Sequence, residues 1–150
     1  MRRARARGDV GQVGGFEAIP FGVLIFVLGA LLVTNAWAVI DAKLAVTAAA
    51  REAARVYVEA PDAGEAETLA VNAARSELTA RGRGSSRAAV RIAAGSFVRC
   101  QMVTVEVTYV VPTITLPFVG GWGDGLRVSA RHGEIVDPYR NGPEGEADCA

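Results

Sequence analysis

Residues 18–40 read AIPFGVLIFVLGALLVTNAWAVI, 23 consecutive positions without a charged side chain. As an α-helix this run extends about 35 Å at about 1.5 Å per residue, enough to cross a hydrocarbon core of about 30 Å with modest tilt. Soluble core helices are rarely apolar on every side over such a length. The run therefore reads as a single membrane span, and the rest of the chain is organised around it. Pro20 falls in the first helical turn, where a missing N–H costs little.

On the N-terminal side, residues 1–15 form a basic, Gly-rich leader with Arg2, Arg3, Arg5 and Arg7 against Asp9 and, just past it, Glu17. Beyond the run come only Asp41 and Lys43. The positive-inside rule then keeps the N-terminus cytoplasmic and puts residues 41–150 outside the cytoplasmic membrane. A competing reading is a secretory signal cut after Ala38, at Ala36-Trp37-Ala38, although the apolar stretch is longer than the usual signal core. Over the whole chain, 16 basic and 16 acidic residues give no net charge, so nothing in the balance suggests a nucleic-acid partner.

On the C-terminal side, DAKLAVTAAAREAARVYVEA continues with strong helix formers to Glu59, and Pro61 stops it. One helix over residues 16–60 is expected, half in lipid and half outside. Leu44, Thr47, Arg51 and Arg55 share one side of its outer half, and alanines pave most of the remainder. Small residues recur near the boundary at Gly29, Ala30, Thr34, Ala38 and Ala42, a ridge along which a second helix can approach closely in lipid. Asp62 with Glu65 three residues on has capping-box spacing and opens a second helix to about Arg81, with Gly82 as its stop.

From Ala88 the period changes to two. AVRIA is a short strand, and VRCQMVTVEVTYVV (98–111) is the strongest one, with Val103, Val105, Val107, Tyr109 and Val111 on one face. Met102, Thr104, Glu106 and Thr108 take the other face. LRVSARHGEIV (126–136) alternates again, with Leu126, Val128 and Ala130 inward and a bulge or end at Gly133. The expected fold class is α+β: a long transmembrane-plus-extramembrane helix, a second short helix and a three-stranded antiparallel sheet. Residues 61–136 make the small domain, and 137–150 a flexible acidic tail.

Catalytic chemistry finds no foothold. His132 is the single histidine, so a Ser/His/Asp site would have to use it, and its strand position beside arginines suits a structural role. GRGSS (82–86) lacks the lysine and following helix of a phosphate loop. Two cysteines and one histidine make a zinc site improbable, and no cofactor is expected. Cys100 and Cys149 would lie in an oxidising compartment, where an intramolecular disulfide, two free thiols or a bond to a partner are all open.

Two surface features stand out. Arg81, Arg83, Arg87, Arg91 and Arg99 follow one another without an intervening acid, whereas Glu59, Asp62, Glu65 and Glu67 lack an intervening base. Such blocks either pair between subunits or simply face solvent. The connection VVPTITLPFVGGWGDG (110–125) is apolar, and Ile114, Leu116, Phe118 and Trp122 either complete the core or form a partner patch.

The order of these pieces resembles the TadE-like family of tight-adherence (Flp-type) pilus proteins, small membrane-anchored minor pseudopilins. The resemblance covers roughly residues 8–136 and rests mainly on GQVGGFEAIPFGVLIFV and TAAAREAARVYV. It implies a structural or assembly component of a pilus or related secretion system, not an enzyme. Its partners would be membrane lipid, other pilin-like subunits or secretion machinery, and a prepilin peptidase. In pilin-like proteins that peptidase cuts after a glycine, and a glutamate follows at the fifth mature position. The leader residues concerned here are Gly11, Gln12, Val13, Gly14, Gly15, Phe16 and Glu17. Fifth place for Glu17 requires a cut after Gln12, whereas a cut after Gly11 makes it sixth. Paired with a neighbour's N-terminal amine, the Glu17 carboxylate would set subunit register; otherwise it is a solvated boundary residue.

Overall fold

The computed structural model describes residues 18–114 and 125–149. Helix α1 spans Ala18–Val58 and α2 spans Ala63–Ala80. A 3-10 turn at Ser85–Arg87 leads into β1 (Ala88–Ala94), β2 (Met102–Val111) and β3 (Leu126–Ile135). The strands form one open antiparallel sheet in the order β1-β2-β3. The fold class is α+β, as the change of period from helical to alternating required.

The chain divides into two compact units between Ala36 and Trp37. In the first, α1 is exposed on nearly every side; Phe26, for example, is 75% exposed. Its two polar side chains return to the helix itself. Thr34 Oγ1 donates to the Ala30 carbonyl at 2.8 Å and Asn35 Nδ2 to the Leu31 carbonyl at 2.9 Å. Polar groups satisfied within one helix suit an environment without water. Among the described residues, α1 is the one helix long and apolar enough to cross a membrane.

In the second unit, burial selects the alanine face of α1: Ala42, Ala45, Val46, Ala49, Ala50, Ala53, Ala54 and Tyr57 are buried. Leu44, Arg51 and Arg55 stay exposed on the other side. Helix α2 buries Ala66, Ala70, Ala74 and Leu78, a spacing of four that keeps one face inward. Val103, Val105, Val107, Tyr109 and Val111 of β2, with Val128 and Ala130 of β3, complete the core. Methyl-sized side chains on α2 let its backbone approach β1 closely. Leu78 is the largest side chain that is wholly buried. Its truncation to Ala would cost about 2–5 kcal/mol.

The ends of α2 follow local chemistry. Asp62 caps it, its carboxylate accepting from the Glu65 N–H at 3.0 Å. At the other end Arg83 N–H reaches the Leu78 carbonyl and Gly82 N–H the Thr79 carbonyl, both at 2.9 Å. This is a Schellman closure, and it puts Gly82 at φ +70°, where a side chain is disfavoured.

Several expectations are corrected. β2 begins at Met102, not Val98, because the preceding residues turn: Cys100 has φ 63° and Gln101 N–H bonds the Val98 carbonyl at 3.1 Å. Gly133 neither bulges nor ends β3; it pairs in register with Thr104, beside the Met102 side chain. The irregularity lies in β1, between Ile92 and Ala94. Leu126 is exposed, not inward, since it stands at the last pair of the ladder, opposite Val111.

The flexible tail is also corrected. Val136 is buried and exchanges backbone bonds with Cys100 and Gln101, both at 3.0 Å. Arg99 N–H donates to the Glu144 carbonyl at 2.9 Å, and its guanidinium reaches the carbonyls of Gly145 and Arg140. Arg140 in turn donates to the carbonyls of Val58 and Glu59 at the end of α1. Gly142 has φ +109°, and a Cβ there would meet the Pro61 carbonyl at 2.6 Å. A disulfide joins Cys100 to Cys149. Residues 136–149 are thus a strap bound over the end of the helix.

Candidate functional site

The residues singled out by sequence divide between the two units and the undescribed segments. Gly11, Gln12, Val13, Gly14, Gly15, Phe16 and Glu17 lie outside the described residues, as do Leu116, Phe118 and Trp122 of the expected patch. Its remaining member, Ile114, is 53% exposed.

The small-residue ridge does not act as one surface. Gly29, Ala30 and Thr34 are exposed, and a Cβ on Gly29 would meet nothing within 4 Å. Ala38 is partly buried against the domain core and Ala42 is wholly buried in it. The lower part of the ridge packs the chain's own domain.

The basic block is largely consumed internally. Arg81 pairs with Glu77 at 2.6 Å, Arg83 with Asp41, and Arg91 with Glu106. Arg83 also lies over the Tyr109 ring, 5.6 Å from its centroid. Arg99 is bound to tail carbonyls. Of the five, Arg87 alone has no such engagement among the described residues.

The outer face of the sheet carries a feature that alternation did not flag. Arg91, Glu106 and Arg131 stand side by side across β1, β2 and β3. The Glu106 side chain is only 11% exposed beneath the two arginines, which are more than 60% exposed. Arg131 Nε is 3.3 Å from Glu106 Oε1. The signal was present as three charges on outward positions of three strands, but the register that aligns them is a long-range property.

His132 stands on β3 opposite Val105, its Nε2 3.1 Å from Glu134 Oε1. Among the described residues no group of three or more His, Cys, Asp or Glu side chains is placed to hold a metal ion. On α1, Arg55 grips Glu52 at 2.6 Å and Glu59 at 2.8 Å. The hydrogen bond from Arg55 holds the Glu52 carboxyl below its usual range, and the pairing raises the guanidinium. Both groups face water, so the triad adds little stability. Tyr57 packs edge-on against Phe97, ring centroids 6.1 Å apart, and burial, helped by the Glu67 charge, raises its phenol.

These features define a small α+β domain whose central helix continues into an exposed apolar stretch suited to single-pass membrane anchoring. No family model, curated protein or solved structure matches the chain.

Proposed function

We propose that the chain is a single-pass protein of the cytoplasmic membrane, N-terminus inside and domain outside, acting as a pilin-like (TadE-like) structural or assembly component of a tight-adherence pilus or related secretion system. One observation carries the reading: α1 is exposed and apolar up to Ala36, with Thr34 and Asn35 each donating back to its own carbonyls, and forms the alanine spine of a folded domain from Ala42 onward. A single element serves as both anchor and core, the arrangement a pilin-like subunit needs. The chain transfers no group in this reading. Its partners are lipid, other pilin-like subunits and a prepilin peptidase acting within residues 11–16, with Glu17 pairing a neighbour's terminal amine.

The test is the intact mass and N-terminal sequence of the native protein from membranes, together with its co-purification with sheared surface fibres. A start between residues 12 and 16 and recovery with fibres support the filament role. An uncut chain absent from fibres defeats it. A second reading, a membrane-tethered binding domain outside any filament, is favoured by the burial of Ala38 and Ala42 in the chain's own domain, which leaves less of the ridge for a neighbouring helix.

A further inference from the structure

The contacts along α1 fix which groups lie at each end of the domain. Early in the domain part of the helix, Asp41 meets Arg83 and Lys43 Nζ donates to the Ser129 carbonyl. Ser129 is near the start of β3; its ladder neighbours Val110–Arg127 and Ala88–Tyr109 place Arg127 and Arg87 at this same end. At the far end Arg140 meets Val58 and Glu59, and there, beside the cancelled Arg55–Glu59 pair, Asp62, Glu65, Asp137, Glu144 and Glu146 outnumber Arg99 and Arg140.

Among the described residues the near end is therefore basic. The Asp41–Arg83 pair cancels, whereas no carboxylate pairs with Lys43, Arg87 or Arg127 among the described residues. Arg87 and Arg127 are exposed, and Leu126 beside Arg127 is exposed too. Trp37, where the domain's own unit begins, belongs to this near end as well. Trp37 is 71% exposed, an amphipathic ring suited to the headgroup level. Asp41 and Lys43 stand about 6–9 Å further along the helix axis, comparable with a Debye length of about 8 Å at physiological salt. Val58 is about 30 Å beyond Trp37, so the acidic end is screened from the same surface.

We propose that the end of the domain bearing Lys43, Arg87 and Arg127 docks on the anionic lipid headgroups of the bilayer that holds α1. The proposal rests on the reading of α1 as a span. Continuity with that span and charge complementarity select lipid as the occupant, and docking holds the domain down on the surface instead of leaving it free on its helix. Each neutralised arginine should weaken docking about fivefold, the effect of one basic residue near an anionic surface.

The experiment uses the isotope-labelled full chain in nanodiscs of phosphatidylcholine alone and with one-third phosphatidylglycerol. A headgroup-chelated gadolinium lipid reports distance through amide relaxation. Docking predicts strong relaxation at residues 84–88 and 126–129, weak relaxation at 62–67 and 137–146, growth of the difference with phosphatidylglycerol, and its loss in Arg87→Gln/Arg127→Gln. Equal relaxation at both ends, or no response to lipid charge or to the double variant, overturns the proposal. Near-end broadening that instead tracks the number of chains per disc identifies a second copy as the occupant and also overturns it. An acyl-chain nitroxide separates the underlying reading: if residues 23–32 are not broadened in either lipid, α1 does not span, and the proposal fails with it.

Discussion

The Arg140 guanidinium donates to the carbonyls of Val58 and Glu59, the last residue of α1 and the one after it. A cation at that position meets both the open carbonyls and the negative end of the helix dipole. Arg140→Ala should destabilise the domain by about 1–3 kcal/mol, and Arg140→Lys should recover only part because an ammonium lacks the fork. Thermal melts of the full chain in detergent measure both. An unchanged midpoint for the alanine variant would mean that the strap holds without this clasp.

The disulfide spans 49 positions, so its loop is long. Chain entropy assigns it about 4 kcal/mol, acting on the unfolded state. Reductant should lower the melting midpoint of the native chain and leave Cys100→Ser/Cys149→Ser unaffected, the latter already melting at the lower value. Equal sensitivity of both proteins to reductant would refute the assignment.

Glu106 is covered by two arginines that themselves face water. Glu106→Gln should cost about 1–3 kcal/mol, because two charged donors then face a neutral amide with one acceptor oxygen fewer, while Arg91→Ala and Arg131→Ala should each cost less than about 1 kcal/mol. Urea unfolding of the four proteins settles the order. A larger loss from either arginine than from Glu106 contradicts it.

Tyr57 supplies a pH dependence. Its folded pKa is raised from the ordinary phenol value of 10.0, first by burial and then by the Glu67 charge. The folded chain therefore keeps a proton that the unfolded chain releases. The stability this gives is full below the unfolded value and is lost as pH rises from there through the folded value. Stability should fall above about pH 10, and Tyr57→Phe should flatten that decline while keeping the contact with Phe97. Denaturation midpoints across the alkaline range, with phenolate absorbance as a second probe, test it; parallel declines in both proteins would count against Tyr57.

Where local chemistry decided the outcome, the sequence was readable. Asp62 with Glu65, Gly82 after Arg81, and the Val103–Val111 alternation each carry their own signal within a few residues, and each is where the structure needs it. The Ala-rich stretch of α1 hid its buried face, since alanine shows almost no contrast between core and surface. What stayed illegible was long-range. Arg99 and Arg140 work through backbone carbonyls far away in sequence, which leave no periodic trace, and the acidic composition of 137–149 looked like solvation. The alignment of Arg91, Glu106 and Arg131 depends on strand register. Of the candidate site, only the cysteine pair was visible in advance as one open possibility, and the leader lies outside the described residues.

The strap also sets an order of events. Residues 136–149 secure the end of a helix completed at Val58, so the residues that fasten α1 are made well after the residues they fasten. Without residues 136–149, the open carbonyls at the end of α1 and the Cys100 thiol would have no latch.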